Sequence, residues 1–552
     1  MSKPVALDSI TKGGNDMVLT KHVSKRSWAV FSGKNLVAHA AQFRARGKFI
    51  NDDLLVFYTI FSAIAGIEVD LCVYVSYGVF CESVANIQMS NFSPFREKME
   101  SAAVTEAAIR AFERNYQSLL RNESGMIPED SIKPCDDLPQ SSDFSPDTGG
   151  YDPALLAQTV VIKLNGGLGT SMGLQKAKSL LPVKGDSTFL DIIANQILHL
   201  RKETGANVRF LLMNSFSTSR DTLEHMEAYA DQDLSGAKKI ELMQNQIPKI
   251  DAQTLEPVVW PENESSEWCP PGHGDLYAAL SGSGWLDALL AEGVKYAFVS
   301  NSDNLGAVLD AGLLQYFAET DKPFLMEVTE RTEADKKGGH LAVLIEGGQL
   351  LLREVAQCPA EDIDEFQNIG KHRYFNTNSL WIRLDALKDL LEQEGGVLPL
   401  PMIQNKKTVD PRDADSTQVY QLETAMGAAI ESFQDSAAVC VPRSRFAPVK
   451  TTSDLFAIRT DAYAEEDDGR ISLSAVRNGR PLIITLSDEY KLVDSLEGLG
   501  VPSLVEADRL VVSGPVRFSD GVKIVGDVSF INESGETKWI ASGTYKDEQI
   551  TL

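Results

Sequence analysis

The period of the apolar positions changes several times along the chain, and each change marks a different kind of element. In residues 105–120, Ala108, Ile109, Ala111, Phe112, Leu119 and Leu120 recur at helical spacing among polar neighbours, which predicts an amphipathic helix. Residues 128–153 lose that period and are rich in Pro, Asp and Ser, the composition of a linker or long surface loop. Short apolar runs then alternate with helical patterns: 159–164 then 190–200, 208–213 then 222–230, 296–299 then 309–317. Such strand-then-helix alternation predicts βαβ units, with helices covering a sheet built largely from parallel strands. Ligands of such sheets sit beyond the carboxyl ends of the strands, so the loops after these runs are where chemistry is sought.

The tail has a different period. Leu510, Val516, Val522 and Val528 recur every six residues, as do Val512, Phe518, Ile524 and Phe530, with Gly514, Gly521 and Gly526 between them. A six-residue apolar repeat suits a small parallel β-helix; two antiparallel hairpins are the plainer alternative. Solenoid edges commonly pair, so this tail is the expected site of any homo-oligomer contact.

Residues 1–98 differ from the rest. Up to residue 50 the charges are mostly basic, as in a transit peptide. Two apolar stretches follow, 54–67 and 71–80, separated by Glu68 and Asp70. Each is shorter than the roughly 20 residues of a membrane-spanning helix, and carboxylates between them are costly in lipid. No membrane partner is expected. A start of translation at Met89 or Met99 is the other reading, and 1–98 is treated as an extension of open role.

Composition narrows the classes. A chain of 552 residues exceeds one compact core, so two or three domains are expected. A net charge of −26 without a Lys/Arg run argues against nucleic acid, which needs a basic face. A nucleotide remains feasible, because a few lysines, backbone N–H groups and a metal ion suffice locally. The six cysteines, Cys72, Cys81, Cys135, Cys269, Cys358 and Cys440, show no zinc-ligand spacing and read as reduced thiols of a cytoplasmic protein.

Five segments carry candidate chemistry. The first, Leu164-Asn-Gly-Gly-Leu-Gly-Thr-Ser-Met-Gly173, follows an apolar strand. Its bare backbone can aim N–H groups at phosphate, and Lys178 supplies a compact positive charge; a tight strand-to-helix turn is the structural alternative. The second, Cys269-Pro-Pro-Gly-His-Gly-Asp275, holds His273 between two glycines, an arrangement that permits close substrate approach. In the third, Ser300-Asn-Ser-Asp-Asn-Leu-Gly306, Asp303 ends an apolar strand and is the candidate Mg²⁺ ligand, since that ion takes one or two carboxylates plus substrate phosphates; a helix cap is the alternative. The fourth, Phe375-Asn-Thr-Asn378, alternates two amides suited to sugar hydroxyls, or forms an Asx turn. The fifth, residues 443–454, concentrates Arg443, Arg445 and Lys450 and reads as an anion site. No spacing suggests a covalent nucleophile.

In this order, together with Pro128-Glu-Asp-Ser-Ile-Lys-Pro134, Lys337-Gly-Gly339, Gln421-Leu-Glu-Thr424 and Val441-Pro-Arg-Ser-Arg-Phe446, these blocks closely resemble the eukaryotic-type UTP–glucose-1-phosphate uridylyltransferases from about residue 99 to the C-terminus. The resemblance implies an α/β fold: a glycosyltransferase-A-like, Rossmann-like mixed-sheet catalytic domain over 158–455, preceded by helical additions over 99–157. A C-terminal left-handed parallel β-helix over 456–552 completes it. It implies that Leu164, Gly166, Gly167, Met213, Gln246, Pro271 and Gly272 contact UTP. His273, Asn301, Gly339, Asn376 and Asn378 would hold glucose 1-phosphate, Asp303 would bind Mg²⁺, and Lys178 and Lys450 would be catalytic. The expected reaction is attack by glucose 1-phosphate on the α-phosphorus of UTP, giving UDP-glucose and pyrophosphate. Many relatives carry Cys-Lys-Gly-Pro-Lys where this chain has Leu174-Gln-Lys-Ala-Lys178, and the stretch after Gln246 is shortened. An N-acetylhexosamine-1-phosphate or broad-specificity sugar-phosphate uridylyltransferase is the nearest alternative, although such enzymes usually have Gly-Thr-Arg where this chain has Gly169-Thr-Ser171. A nucleotide-sugar-binding scaffold is the non-enzymatic one.

Overall fold

The computed structural model describes residues 92–552 apart from 124 and 145–149, and the backbone of six short strands before residue 92. The chain divides into Met1–Asn91 and Phe92–Leu552. In the first unit, 45–51 pairs antiparallel with 54–59, and 72–75 with 78–81. The transit-peptide, membrane and alternative-start readings of the extension otherwise lie outside the described residues. The second unit begins at Phe92, so the helix Ser93–Ser101 belongs to it and crosses the boundary expected at 98.

The predicted amphipathic helix is Glu106–Leu120, with Thr105 Oγ1 accepting the Ala108 N–H as its cap. Its apolar face, Ile109, Phe112, Tyr116 and Leu119, packs with Phe95, Ile247, Ile250 and Leu422. Each large side chain so buried contributes roughly 1.5–3 kcal/mol. Part of the stretch expected as a linker or long surface loop, residues 129–134, is tied to the sheet. Ile132–Pro134 adds an antiparallel strand to His340–Leu344, and Glu129 pairs with the buried Arg353, with Lys371 and with His372. Within that polar stretch Glu129 and Asp137 serve as ion-pair partners.

The main sheet runs Glu241–Met243, Arg209–Asn214, Thr159–Asn165, Tyr296–Asn301, Tyr374–Arg383, Phe324–Glu330, Ala437–Cys440. The first four strands are mutually parallel, and Tyr374–Arg383 lies antiparallel to both its neighbours, which makes the sheet mixed. Alternate residues of each strand feed opposite faces. Val161 and Phe298 enter one core, while Val160, Ile162, Ala297 and Val299 enter the other.

In the tail, Ser503–Ser513, Val522–Ile531 and Gly543–Thr551 stack in parallel, with Leu510 opposite Val528 and Val512 opposite Phe530. Val516–Phe518 and Lys538–Ile540 form a second parallel pair. These pairings are those of a β-helix and not of antiparallel hairpins. The buried tail residues share one continuous core with the first face of the sheet. Among the described residues, no helix is long and apolar enough to cross a membrane.

Candidate active site

Three parallel strands end side by side. Leu164 is in register with both Met213 and Asn301, so three of the sequence-predicted residues form a row at the carboxyl edge. The Gly-rich loop leaves that edge above a buried amide network. Asn165 Nδ2 donates to Asn214 Oδ1 (2.8 Å) and Thr222 Oγ1 (2.9 Å), and Ser215 Oγ donates to the Gly166 carbonyl. The loop folds back through the Lys178 N–H, which donates to the Gly167 carbonyl (3.1 Å). Gly169 sits at φ +65°, a conformation that favours glycine. Gly167 has nothing within 4 Å of a would-be Cβ and faces an open approach.

Lys178 Nζ lies 2.7 Å from Asp303 Oδ2 and also donates to the Val449 carbonyl, which brings the segment bearing Lys450 to the same place. Asp303 Oδ1 is buried and has no hydrogen-bond partner. A buried carboxylate oxygen without a donor suits a hard cation. Among the described residues no three His, Cys, Asp or Glu side chains are grouped so as to hold a metal, so Asp303 is the protein oxygen on offer at this edge. Of the three cations in 443–454, Arg443 is taken up by Asp335 (2.8 and 3.0 Å) and Arg445 by Glu327 (2.7 and 2.9 Å). The anion site expected there reduces to Lys450, whose exposed Nζ stands over the rings of Phe375 (5.9 Å) and Phe446 (5.8 Å).

On the opposite side, His273 accepts the Met426 N–H on Nδ1 (3.0 Å). Burial pushes its pKa down to about 4, so the ring is neutral near pH 7. With Nδ1 occupied as acceptor, the proton sits on Nε2, which is left to donate. The flanking glycines have a reason other than substrate approach. A side chain at Gly272 would start 2.5 Å from the Thr424 carbonyl, and one at Gly274 2.3 Å from Thr424 Oγ1. It is the chain at Thr424 that comes close.

Asn376 and Asn378 are an Asx turn within a strand. The Asn378 N–H donates to Asn376 Oδ1 (2.9 Å), and Asn376 Nδ2 donates to Asn378 Oδ1 (2.9 Å). Asn378 has φ +57° at a bulge in the strand, a conformation asparagine tolerates. Asn376 also receives the rest of the ring: its N–H donates to the Gly339 carbonyl (3.2 Å), and Gly427 approaches its amide. Gly339 leaves room for the Glu354 carboxylate, which a Cβ there would meet at 2.6 Å. Burial raises the Glu354 pKa, and the Lys450 charge opposes that rise.

Sequence reasoning missed two of these side chains. Gln244 Nε2 donates to the Gly272 carbonyl (2.9 Å), and its Oε1 abuts Gly166, so Gln244 joins the loop to the Pro271-Gly272 turn; Gln246 lies two residues beyond. Glu354 ends the apolar strand Leu350–Arg353, the same strand-end signal that singled out Asp303.

A Gly-rich loop, a lysine–carboxylate pair with an unpartnered oxygen and a second lysine, gathered at the carboxyl edge of a mixed sheet, suit the class of sites that bind phosphate groups. Comparison with known proteins narrows that class. The family profile described as UTP–glucose-1-phosphate uridylyltransferase matches residues 109–525. The UTP–glucose-1-phosphate uridylyltransferase of Solanum tuberosum is 40% identical over 422 residues, 76% of this chain and 84% of the relative. That of Saccharomyces cerevisiae is 41% identical over 401 residues, 72% and 78% of the two chains. Among solved structures, a UDP-glucose pyrophosphorylase variant from Leishmania major in complex with UDP-glucose aligns at 46% identity with a TM-score of 0.79, covering 84% of this chain and 99% of that one. A Trypanosoma brucei UDP-glucose phosphorylase aligns at 49% identity and a TM-score of 0.77, over 83% and 99%. The chain belongs to the UTP–glucose-1-phosphate uridylyltransferase family.

Proposed function

We propose that this chain transfers the uridylyl group of UTP to glucose 1-phosphate, and that the reaction runs over the edge formed by Lys178, Asp303 and Lys450. A phosphate oxygen of glucose 1-phosphate forms a bond to the α-phosphorus of UTP. The bond from that phosphorus to the bridging oxygen breaks, and pyrophosphate leaves with the electron pair. Aligning two mutually repelling anions and offsetting their charge accounts for most of such catalysis. Lys178 and Lys450 do this from two sides of the loop. Mg²⁺, held by Asp303 Oδ1 and substrate phosphates, would supply further positive charge at the reacting phosphate.

On the nucleotide side, Leu164, Gly166, Gly167, Met213, Gln246 and Gly272 contact UTP, with the bare backbone of the Gly-rich loop toward its phosphates, and Gln244 joins them through its hydrogen bond to the Gly272 carbonyl. On the sugar side, His273 donates Nε2–H to the sugar phosphate while Asn301, Gly339, Asn376, Asn378 and Glu354 meet the hydroxyls. The thiols of Cys135, Cys269, Cys358 and Cys440 are free, in keeping with a reducing cytoplasm. For self-association we assign the C-terminal β-helix, whose strand Gly543–Thr551 pairs on one side only among the described residues.

The observation that carries the reading is the Lys178–Asp303 pair with its unpartnered Oδ1 beside Lys450. Pyrophosphate release from UTP and Mg²⁺ tests it, with glucose 1-phosphate compared with N-acetylglucosamine 1-phosphate. Release with glucose 1-phosphate alone is expected. Preference for the acetylated sugar would move the chain to the neighbouring specificity, and silence with both would leave a nucleotide-sugar-binding scaffold.

A further inference from the structure

The groups assigned to catalysis stand on three separate segments, and the joints between those segments are buried side chains with no role in the reaction as described. Lys163, 2% exposed in the strand that feeds the Gly-rich loop, donates to Ser300 Oγ (2.8 Å) and to the Ala307 carbonyl (2.6 Å). Ser300 precedes the Asp303 turn and Ala307 follows it, so one amine fastens both ends of the turn to the neighbouring strand. The other side of the turn is held by Asn304, also 2% exposed. Its Nδ2 donates to the Arg445 carbonyl (3.0 Å) and its Oδ1 accepts the Ala447 N–H (3.1 Å). The Val449 N–H then donates to the Asp303 carbonyl (3.1 Å). The approach is close enough that a side chain at Gly306 would start 2.3 Å from the Ser444 carbonyl.

We propose that Asn304 is a positioning residue for the uridylyl transfer: by pairing with residues 445 and 447 it sets the place of Lys450 relative to the Lys178–Asp303 pair. The inference rests on the reading of Lys450 as catalytic. A carboxamide is the side chain this requires, because one partner is an acceptor and the other a donor. Asp offers no donor to the Arg445 carbonyl, and Ala offers nothing to either. Lys450 itself is exposed on a flexible stem, so its reach toward the transferring phosphate depends on where the segment starts. Misplacement by about 1 Å can cost on the order of 100-fold in rate.

The test is steady-state kinetics of Asn304→Ala, Asn304→Asp and Lys450→Ala, and of each Asn304 change combined with Lys450→Ala, with thermal melts of all five. If Asn304 acts through Lys450, Asn304→Ala lowers kcat by about 100-fold while KM for UTP and glucose 1-phosphate moves by less than about threefold. In the Lys450→Ala background the same change costs kcat less than about threefold, because the group it positioned is gone. A purely structural role would multiply the two losses, and equal factors in both backgrounds overturn the inference. Asn304→Asp keeps the volume and carries the same comparison should Asn304→Ala fail to fold. Normal turnover of the Asn304 variants beside an impaired Lys450→Ala overturns the inference alone. Near-normal turnover of Lys450→Ala removes the catalytic reading and the inference with it.

Discussion

Two cation–carboxylate pairs lie close in this fold and have been built to opposite ends. Glu327 is fully buried, and both its oxygens are occupied: Oε1 by Arg445 Nη2 (2.7 Å) and Trp381 Nε1 (2.9 Å), Oε2 by Arg445 Nε (2.9 Å). Asp303 is partly exposed at 22% of its side chain. Lys178 occupies one oxygen, and the other has no partner. A closed pair offers no lone pair or proton to a ligand and can only hold the protein together. An open pair carries desolvated valence that a substrate or ion can complete. Net charge does not separate the two, since each pair is one cation and one anion.

The largest effects should fall on the open pair and on Lys450, carried by the segment that meets it, and should be functional. Lys450→Ala and Asp303→Asn are each expected to lower kcat by on the order of 10²–10³, the cost of removing one preorganised charge from a transferring group. Melting temperatures should stay close to that of the parent, because Lys450 is exposed and Asp303 keeps its shape as Asn. Initial-rate measurements with differential scanning fluorimetry check both. A melting temperature that falls in step with kcat would make the open pair structural too.

Breaking the closed pair should do the reverse. Glu327→Ala leaves Arg445 buried without its counter-charge, and removal of one partner of such a pair costs about 3–5 kcal/mol. A urea melt should show that loss as an earlier midpoint with an unchanged slope. Whatever fraction remains folded should still bind UTP, because no nucleotide contact has been removed.

The difference between the two pairs was invisible in the sequence, where Arg443, Arg445 and Lys450 formed one basic cluster. The sheet order was more legible. Strands 159–165, 209–214 and 296–301 announce themselves by apolar runs, and the carboxyl ends of the first and last by Gly166 and Asp303, whereas Met213 came only from the family resemblance. The six-residue period of the tail likewise predicted parallel stacking, because a coil of a β-helix repeats its interior positions at fixed intervals. Residues 128–153 were not legible. Their partners, Arg353 and His340–Leu344, are some two hundred residues away, and a polar strap has no period of its own. Gly272 and Gly274 read in the sequence as room for substrate, and nothing local reveals that Thr424 packs against both. Gln244 went unseen because its partners, the Gly272 carbonyl and the close approach to Gly166, lie on other segments of the chain.

His273 supplies a finer contrast, a group in the site that is held closed in one protonation state. Its folded pKa is about 4, against an ordinary value near 6.5. As pH falls from about 6.5 to about 4, the unfolded chain takes up a proton that the folded chain refuses, so stability is lost across that window. Above it, the group contributes no pH dependence. Melts of the parent and of His273→Gln should therefore run parallel above pH 7 and converge below it as the parent loses its advantage. Burial lowers His340 and His372 in the same direction, but both remain in the variant and cancel in the difference. Parallel curves down to pH 4 would mean that His273 is protonated in the folded protein and donates from both nitrogens.

The smallest effect expected is at the start of the helix Thr452–Arg459. Asp454 accepts the N–H of Lys450 (2.9 Å), the N–H of Thr451 (2.7 Å) and the Thr451 hydroxyl (2.9 Å), so an exposed cap holds the backbone of Lys450 from beyond while Asn304 holds it from before. Loss of a cap costs about 1 kcal/mol, and Asp454→Ala should lower the unfolding free energy by about that amount. Its cost in kcat should be far below that of Asn304→Ala, because the helix start can fray at its exposed side while the segment stays fastened to the buried turn. Equal losses in kcat would shift the positioning of Lys450 from the buried joint to the exposed cap. The line between closed and open would then run between Lys450 and its own backbone, and not between the two ion pairs.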